Sequence, residues 1–246
     1  MDVLKFSLKG RTAFFKKPEI NTYVSFTYGN IHKVALLGMF GAIMGYKGYT
    51  FMGSKKDIYP EFYDKLNELR CAIIPKNKNG FINKKIQQFN NSVGYASEEQ
   101  GGNLIVKEQW LENPWWDIFV LLDCDEANKL SEYILTRKCT YIPYLGKNDH
   151  PADILDAKLI KGCEATEDFI KLDSLFFKDK VAYGDIDNFE EEYFGVREFK
   201  YEEHLPVSLN KDTHMYEQSA FVHSNLPVVK YEGDIYKIGE ETIVFF

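Results

Sequence analysis

The sequence predicts an α+β fold, a βαββαβ unit carrying a protruding insertion, followed by a smaller β-rich part. Three observations predict it. A glycine-rich apolar helix follows a short first strand, a polar and basic stretch splits two buried strands, and beyond about residue 164 the patterns are nearly all short and strand-like.

Val3 to Leu8 alternates as a strand. TYGNIHKVALLGMFGAIMGY, Thr27 to Tyr46, then places a helix from about His32 to Tyr46. Gly38, Gly41 and Gly45 each cost a helix roughly 1 kcal/mol relative to Ala, so three of them within one helix imply that something packs or binds very closely there. The helix start offers unpaired N–H groups and the positive end of the dipole, and Asn30, His32 and Lys33 stand at that end. Two readings stay open: a phosphate binds there, or Asn30 caps the helix while the glycines pack on a sheet.

Pro60 to Leu69 reads as a short helix and Arg70 to Pro75 as a buried strand. From Lys76 to Asn103 the chain turns polar and glycine-punctuated, basic in its first half through Lys76, Lys78, Lys84 and Lys85. Ile82 to Phe89 keeps enough alternation for a protruding hairpin, and long connections of this kind are uncommon unless they act. Trp116 to Asp123 resumes the core, Asp125 to Lys138 is an amphipathic helix with Leu130, Tyr133 and Ile134 on one face, and Ala157 to Lys161 returns as a strand. This order is the ferredoxin-like, or RRM-like, split βαβ architecture. It gives a domain over 1–164, with the insertion at about 76–103, and a β-rich domain over 165–246 with strands at Arg197 to Tyr201, His204 to Leu209, Ser219 to His223, Pro227 to Tyr231, Asp234 to Ile238 and Thr242 to Phe246.

A content of 45% hydrophobic and 15% aromatic residues excludes a disordered chain. The longest apolar run, Val34 to Tyr46, falls short of the roughly 20 residues that span a bilayer. MDVLKFSLKG lacks the layout of a signal peptide, so the expectation is a soluble, cytoplasmic protein. Cys71, Cys124, Cys139 and Cys163 form no CxxC pair, and His32, His150, His204, His214 and His223 show neither HxxxH nor HExxH spacing. No metal or cofactor is expected, and the cysteines read as buried free thiols.

The net charge of −7 argues against a nucleic-acid binder until the chain is divided. The first 90 residues carry 15 Lys and Arg against 6 Asp and Glu, and the remainder 15 against 31. Such asymmetry lets one surface follow a phosphate backbone while the acidic part, including Glu190 to Glu192, stays hydrated or faces a basic partner.

Over nearly its full length the chain resembles the CRISPR-associated Cas-five family, the RAMP-type subunit that holds the 5′ handle of the guide RNA (crRNA) in type I Cascade complexes. The likeness rests on GRTAFFKKPEIN (Gly10 to Asn21), on Thr27 to Tyr46, on NNSVGYAS (Asn90 to Ser97), on YIPYLGKNDHPADI (Tyr141 to Ile154) and on the C-terminal GEETIVFF. Its flavour is most similar to the type I-B branch. The resemblance implies a ferredoxin-like domain with a thumb, a role in antiviral defence, and as partners the crRNA 5′ handle, a Cas-seven backbone subunit, a Cas-eight-like large subunit and, through the assembled complex, target DNA. Single-stranded RNA is gripped by cations on its phosphates and by aromatic faces against splayed bases. The phosphate candidates are Arg11, Lys16, Lys17, His32 and Lys33, with Lys76, Lys78, Lys84 and Lys85 on the thumb, and Phe81 or Tyr28 for stacking. In PYLGKNDHP, Asn148 and His150 either contact RNA or a neighbouring subunit, or belong to a structured turn.

Type I-C relatives cut the repeat RNA without metal, which needs a base of near-neutral pKa and an acid or cation at the leaving oxygen. Tyr46 resembles a tyrosine implicated there, and His32 and Lys33, adjacent at the helix start in the reverse order of those relatives' Lys-His pair, complete the alternative catalytic set. The Lys-His pair of those relatives is missing from this sequence, so the expectation is a clamp rather than a nuclease.

Overall fold

The computed structural model describes residues 1–20, 22–53, 58–185 and 197–246; the acidic run at Glu190 to Glu192 and Asn21 of the first resembling segment lie outside them. In chain order the first part contains β1 (Val3–Lys9), β2 (Thr12–Ala13), α1 (Lys33–Met44), α2 (Glu61–Leu66), β3 (Cys71–Pro75), β4 (Lys84–Asn90), β5 (Ile105–Glu112), β6 (Trp115–Leu121), α3 (Asp125–Leu135) and β7 (Asp153–Ile160). The main sheet runs β3-β6-β1-β7, all neighbours antiparallel, which is the ferredoxin-like strand order.

Alternation along the two central strands sets the core. Leu4, Phe6 and Leu8 pair with Val120, Ile118 and Trp116 and pack with buried residues of α1 and α3. On the other face Val3, Phe119 and Leu121 meet Tyr236, Ile238 and Ile243.

The later strands are β8 (Phe176–Phe177), β9 (Val181–Tyr183), β10 (Lys200–Leu209), β11 (Tyr216–Ser224), β12 (Val228–Tyr231), β13 (Ile235–Ile238) and β14 (Glu241–Val244). The two strands expected on either side of residue 202 are one edge strand, β10, whose register shifts between Pro206 and Ser208 where proline cannot donate to the ladder. Leu205, Leu209 and Phe221 join the same core as α1.

The glycines of α1 have separate jobs. A Cβ on Gly41 would stand 2.5 Å from the Cβ of Phe62, so the close neighbour is α2 and not a sheet. Gly45 ends the helix in the left-handed region at φ 80°. Ala35, Gly38 and Ala42, three to four residues apart, are left half-buried along one side.

β4 pairs with β5, and β2 joins β5 as the third strand, so the thumb is a hairpin rooted on the first loop. Its returning arm lies past residue 103, where the expected insertion stopped. Buried Glu108 and half-buried Gln109 hide the period of that strand from its sequence. Of the cysteines, Cys71 and Cys163 are buried, whereas Cys124 is half-buried and Cys139 exposed, because the chain past α3 runs on the surface. Among the described residues no helix is long and apolar enough to cross a membrane.

Candidate nucleic-acid interface

The half-buried side of α1 is the floor of a groove of about 880 Å³. Small side chains at Ala35, Gly38 and Ala42 leave the space, and three segments wall it: Phe14 to Lys16, the stretch holding Tyr141, Tyr144 and Lys147, and the α1 exit with Tyr46, Gly48 and Tyr49. His32 and Tyr216 stand at the helix start. Tyr49, Tyr141 and Tyr144 are 48%, 59% and 45% exposed, which leaves aromatic faces on a concave surface.

The wall at 141–147 is held by backbone. The N–H groups of Thr140 and Tyr141 bond the carbonyls of Ile43 and Ala42 at 2.8 and 3.1 Å, satisfying the orphan acceptors at the end of α1. Leu145 and His150 close the following turn, the Leu145 N–H reaching the His150 carbonyl at 2.8 Å, while Phe14 N–H bonds the Leu145 carbonyl. Gly146 sits at φ 88°, and a Cβ there would fall 2.0 Å from the Phe14 carbonyl oxygen. The PYLGKNDHP segment is thus a structured turn that presents Tyr144 and Lys147.

The charges on the groove are largely compensated. Lys147 Nζ lies 3.1 and 3.2 Å from the two oxygens of buried Glu108, and 3.3 Å from Asp149. Lys16 is exposed and makes no ion pair among the described residues. The Tyr46 hydroxyl donates to Glu126 at 2.5 Å and accepts from Lys129 at 2.8 Å, with Lys65 Nζ 4.3 Å from its ring centroid. Partial burial and the Glu126 carboxylate hold the phenol pKa above its ordinary value.

The lead-in to α1 is structural where the sequence offered a ligand site. His32, not Asn30, caps the helix, its Nδ1 accepting from the Ala35 N–H at 3.2 Å. Burial among Phe15, Tyr28 and Tyr216 pushes its pKa down to about 3, so it is a neutral imidazole with no charge for a phosphate. Asn30 is fully buried and accepts from Trp116 Nε1 at 2.9 Å. Tyr28 is 1% exposed, which removes it as a stacking platform; burial raises its pKa. Lys33 is half-buried, and desolvation lowers its pKa.

Other candidates are spread over the surface. Lys17 pairs with Glu203 at 3.0 Å, and that carboxylate also takes the Gly29 N–H at 2.8 Å and the Tyr201 hydroxyl at 2.8 Å. Lys76 lies 3.6 Å from Asp117, and Lys85 is 3.7 Å from Glu112. Arg11, Lys78, Lys84 and Asn148 are exposed, as is Phe81 at 55%. His150 is fully buried, its Nδ1 2.7 Å from Thr12 Oγ1 and its ring edge-on to Trp110 at 4.6 Å, so it fastens the turn to the thumb root. The groove therefore gathers only Lys16, His32 and Tyr46 from the expected set. Tyr49, Tyr141, Tyr144 and Lys147 were missed, although the last three belong to a segment already singled out, Tyr141 to Ile154.

The chain matches no family model and no curated protein. Its fold recurs in solved structures, among them two CRISPR chains. One is a chain described as belonging to a CRISPR RNA-guided surveillance complex, 12% identical over 92% of this chain and 91% of that one, with a TM-score of 0.55. The other is a CRISPR protein from Archaeoglobus fulgidus, 12% identical over 99% and 98%, with a TM-score of 0.53. At this identity the likeness is one of fold: the ferredoxin-like unit and the strands that follow it are arranged as in CRISPR-associated proteins.

Proposed function

We propose that the chain is a Cas-five-type subunit, of the type I-B branch, that holds the 5′ handle of a crRNA as a non-catalytic clamp. The observation that carries this reading is the tyrosine-walled groove along α1, with Lys16 and Lys147 at its rim, on a fold shared with a surveillance-complex chain. Unstacked bases lie against Tyr49, Tyr141 and Tyr144 while a phosphate meets the unpaired Lys16. Its partners on this reading are a Cas-seven backbone subunit, a Cas-eight-like large subunit and, through the assembly, target DNA, in the cytoplasm.

The second reading, a metal-independent endoribonuclease, draws on Tyr46 and His32 both lining the groove. Their chemistry supports the clamp. A buried imidazole with a pKa of about 3 is a weak base, and a phenol with a raised pKa stays protonated. The test is incubation with the cognate repeat RNA in EDTA, alongside the same RNA bearing one 2′-deoxy substitution at the expected cleavage position. Binding without cutting is the expected result. Site-specific cutting that the substitution blocks would replace the clamp by the nuclease.

A further inference from the structure

A second concavity, of about 540 Å³, lies at the thumb root and shares no lining residue with the α1 groove. Asn77, Lys78, Asn79, Phe81 and Asn83 form it. The loop is fixed before any ligand arrives. Asn77 donates to the Asn113 carbonyl at 3.1 Å and accepts from the Trp115 N–H at 3.0 Å, tying the loop to the start of β6. Asn79 adopts the left-handed conformation at φ 57°, and Gly80 lies so close to His223 that a Cβ would meet its Nδ1 at 2.2 Å. The Asn83 carbonyl accepts from the Glu112 N–H at 2.8 Å, which anchors the far end.

Three kinds of group converge on that rigid loop. Phe81 is 55% exposed, an apolar cost on a free surface, and presents a flat face. Lys78 is exposed and, among the described residues, in no ion pair, unlike Lys76 and Lys85. The side-chain amides of Asn79 and Asn83 are exposed, each with a donor and an acceptor.

Resting on the RNA-holding reading above, we propose that this loop is a separate nucleobase pocket that takes one unpaired adenosine: the base stacks on Phe81, an Asn79 or Asn83 amide reads its edge, and Lys78 meets the adjoining phosphate. An aromatic face accepts any base, whereas a carboxamide matches the N6–H donor and N7 acceptor of adenine in bidentate fashion and meets two acceptors, O6 and N7, on the same edge of guanine, so the amides supply the choice between the purines.

The test uses the full-length protein and its labelled repeat RNA, with each unpaired position replaced in turn by the other three bases. One adenosine should stand out in the wild type, with affinity falling roughly tenfold when Phe81→Ala removes the stacking face. Phe81→Trp should restore binding, which a merely structural role for Phe81 would not allow. Asn83→Ala together with Asn79→Gly should abolish the preference at that position while Tyr144→Ala leaves it intact. Wild-type RNA affinity and unchanged base preference in the Phe81 and asparagine variants, alongside weakened binding by Tyr144→Ala, would overturn the pocket and leave the groove reading standing. Absence of RNA binding by the wild-type protein would overturn both.

Discussion

The lead-in to α1 and the turn at 143–151 carry the same side-chain types, Tyr28, His32 and Lys33 in one and Tyr144, Lys147 and His150 in the other, yet present different surfaces. At the helix start the tyrosine and histidine are enclosed and the lysine is half-withdrawn. In the turn only the histidine is enclosed, and it serves as the fastener that lets Tyr144 and Lys147 face the groove. Residue type offers a stacking ring or a cation; the packing around it decides whether either reaches a ligand.

Acid is the strongest way to break this contrast. His32 and His223 have folded pKa values pushed down by burial to about 3 and about 4, and His150 is also lowered. The unfolded chain, with histidines near 6.5, binds protons that the folded chain refuses. Their contribution is complete above about pH 6.5 and is lost as pH falls toward the folded values, at roughly 1.4 kcal/mol per pH unit for each fully buried histidine. From His32 and His223 together, about 5 kcal/mol should disappear by pH 4.5. Urea denaturation at pH 7 and pH 4.5 measures it, and His32→Asn, which keeps a cap, should remove about half of the difference. An unaltered pH dependence in that variant would mean that the helix start is open to water after all.

Next in size is the turn itself. Gly146→Ala places a methyl group against the Phe14 carbonyl at a backbone angle unsuited to L side chains, and should cost roughly 3 kcal/mol in thermal or urea unfolding. A cost near zero would show that the turn does not lie against Phe14 as described.

RNA binding then separates the two tyrosines. Tyr144→Ala should weaken binding of single-stranded RNA by roughly tenfold, whereas Tyr28→Phe, which keeps the buried ring and loses only the Gln218 bond, should change it less than about twofold. Equal losses in a filter-binding titration would erase the distinction between presented and enclosed rings.

The smallest effect is on charge. Lys16→Ala, which removes the groove lysine that makes no ion pair among the described residues, should reduce the slope of log affinity against log salt by about 0.7, the share of one single-strand phosphate, and Lys33→Ala should leave the slope unchanged. A reversal would move the phosphate path to the helix start.

Much of the fold was legible because periodicity is local. β1 alternates, β6 is a nearly continuous apolar run, α3 shows its apolar face, and the glycines of α1 announced a close approach. The hidden returning arm of the thumb shows the limit: a buried Glu108 reads as surface until Lys147, 39 positions away, is placed beside it. The candidate site was less legible. The spacing of Ala35, Gly38 and Ala42 was available, but nothing near them in sequence says that residues 141–147 would form the opposite wall.

The sequence by itself therefore determined the strands and helices of the ferredoxin-like unit, their order and the small-residue floor on α1, since these follow from side-chain size and spacing within one helix or strand. Only the tertiary structure decided which lysines, histidines and tyrosines remain free to act. Lys17 and Gly29 are claimed by Glu203, and the N–H of Gly29 and that carboxylate are 174 positions apart. Exposure and charge compensation are set by whichever distant segment packs against a residue, and no local pattern encodes that neighbour.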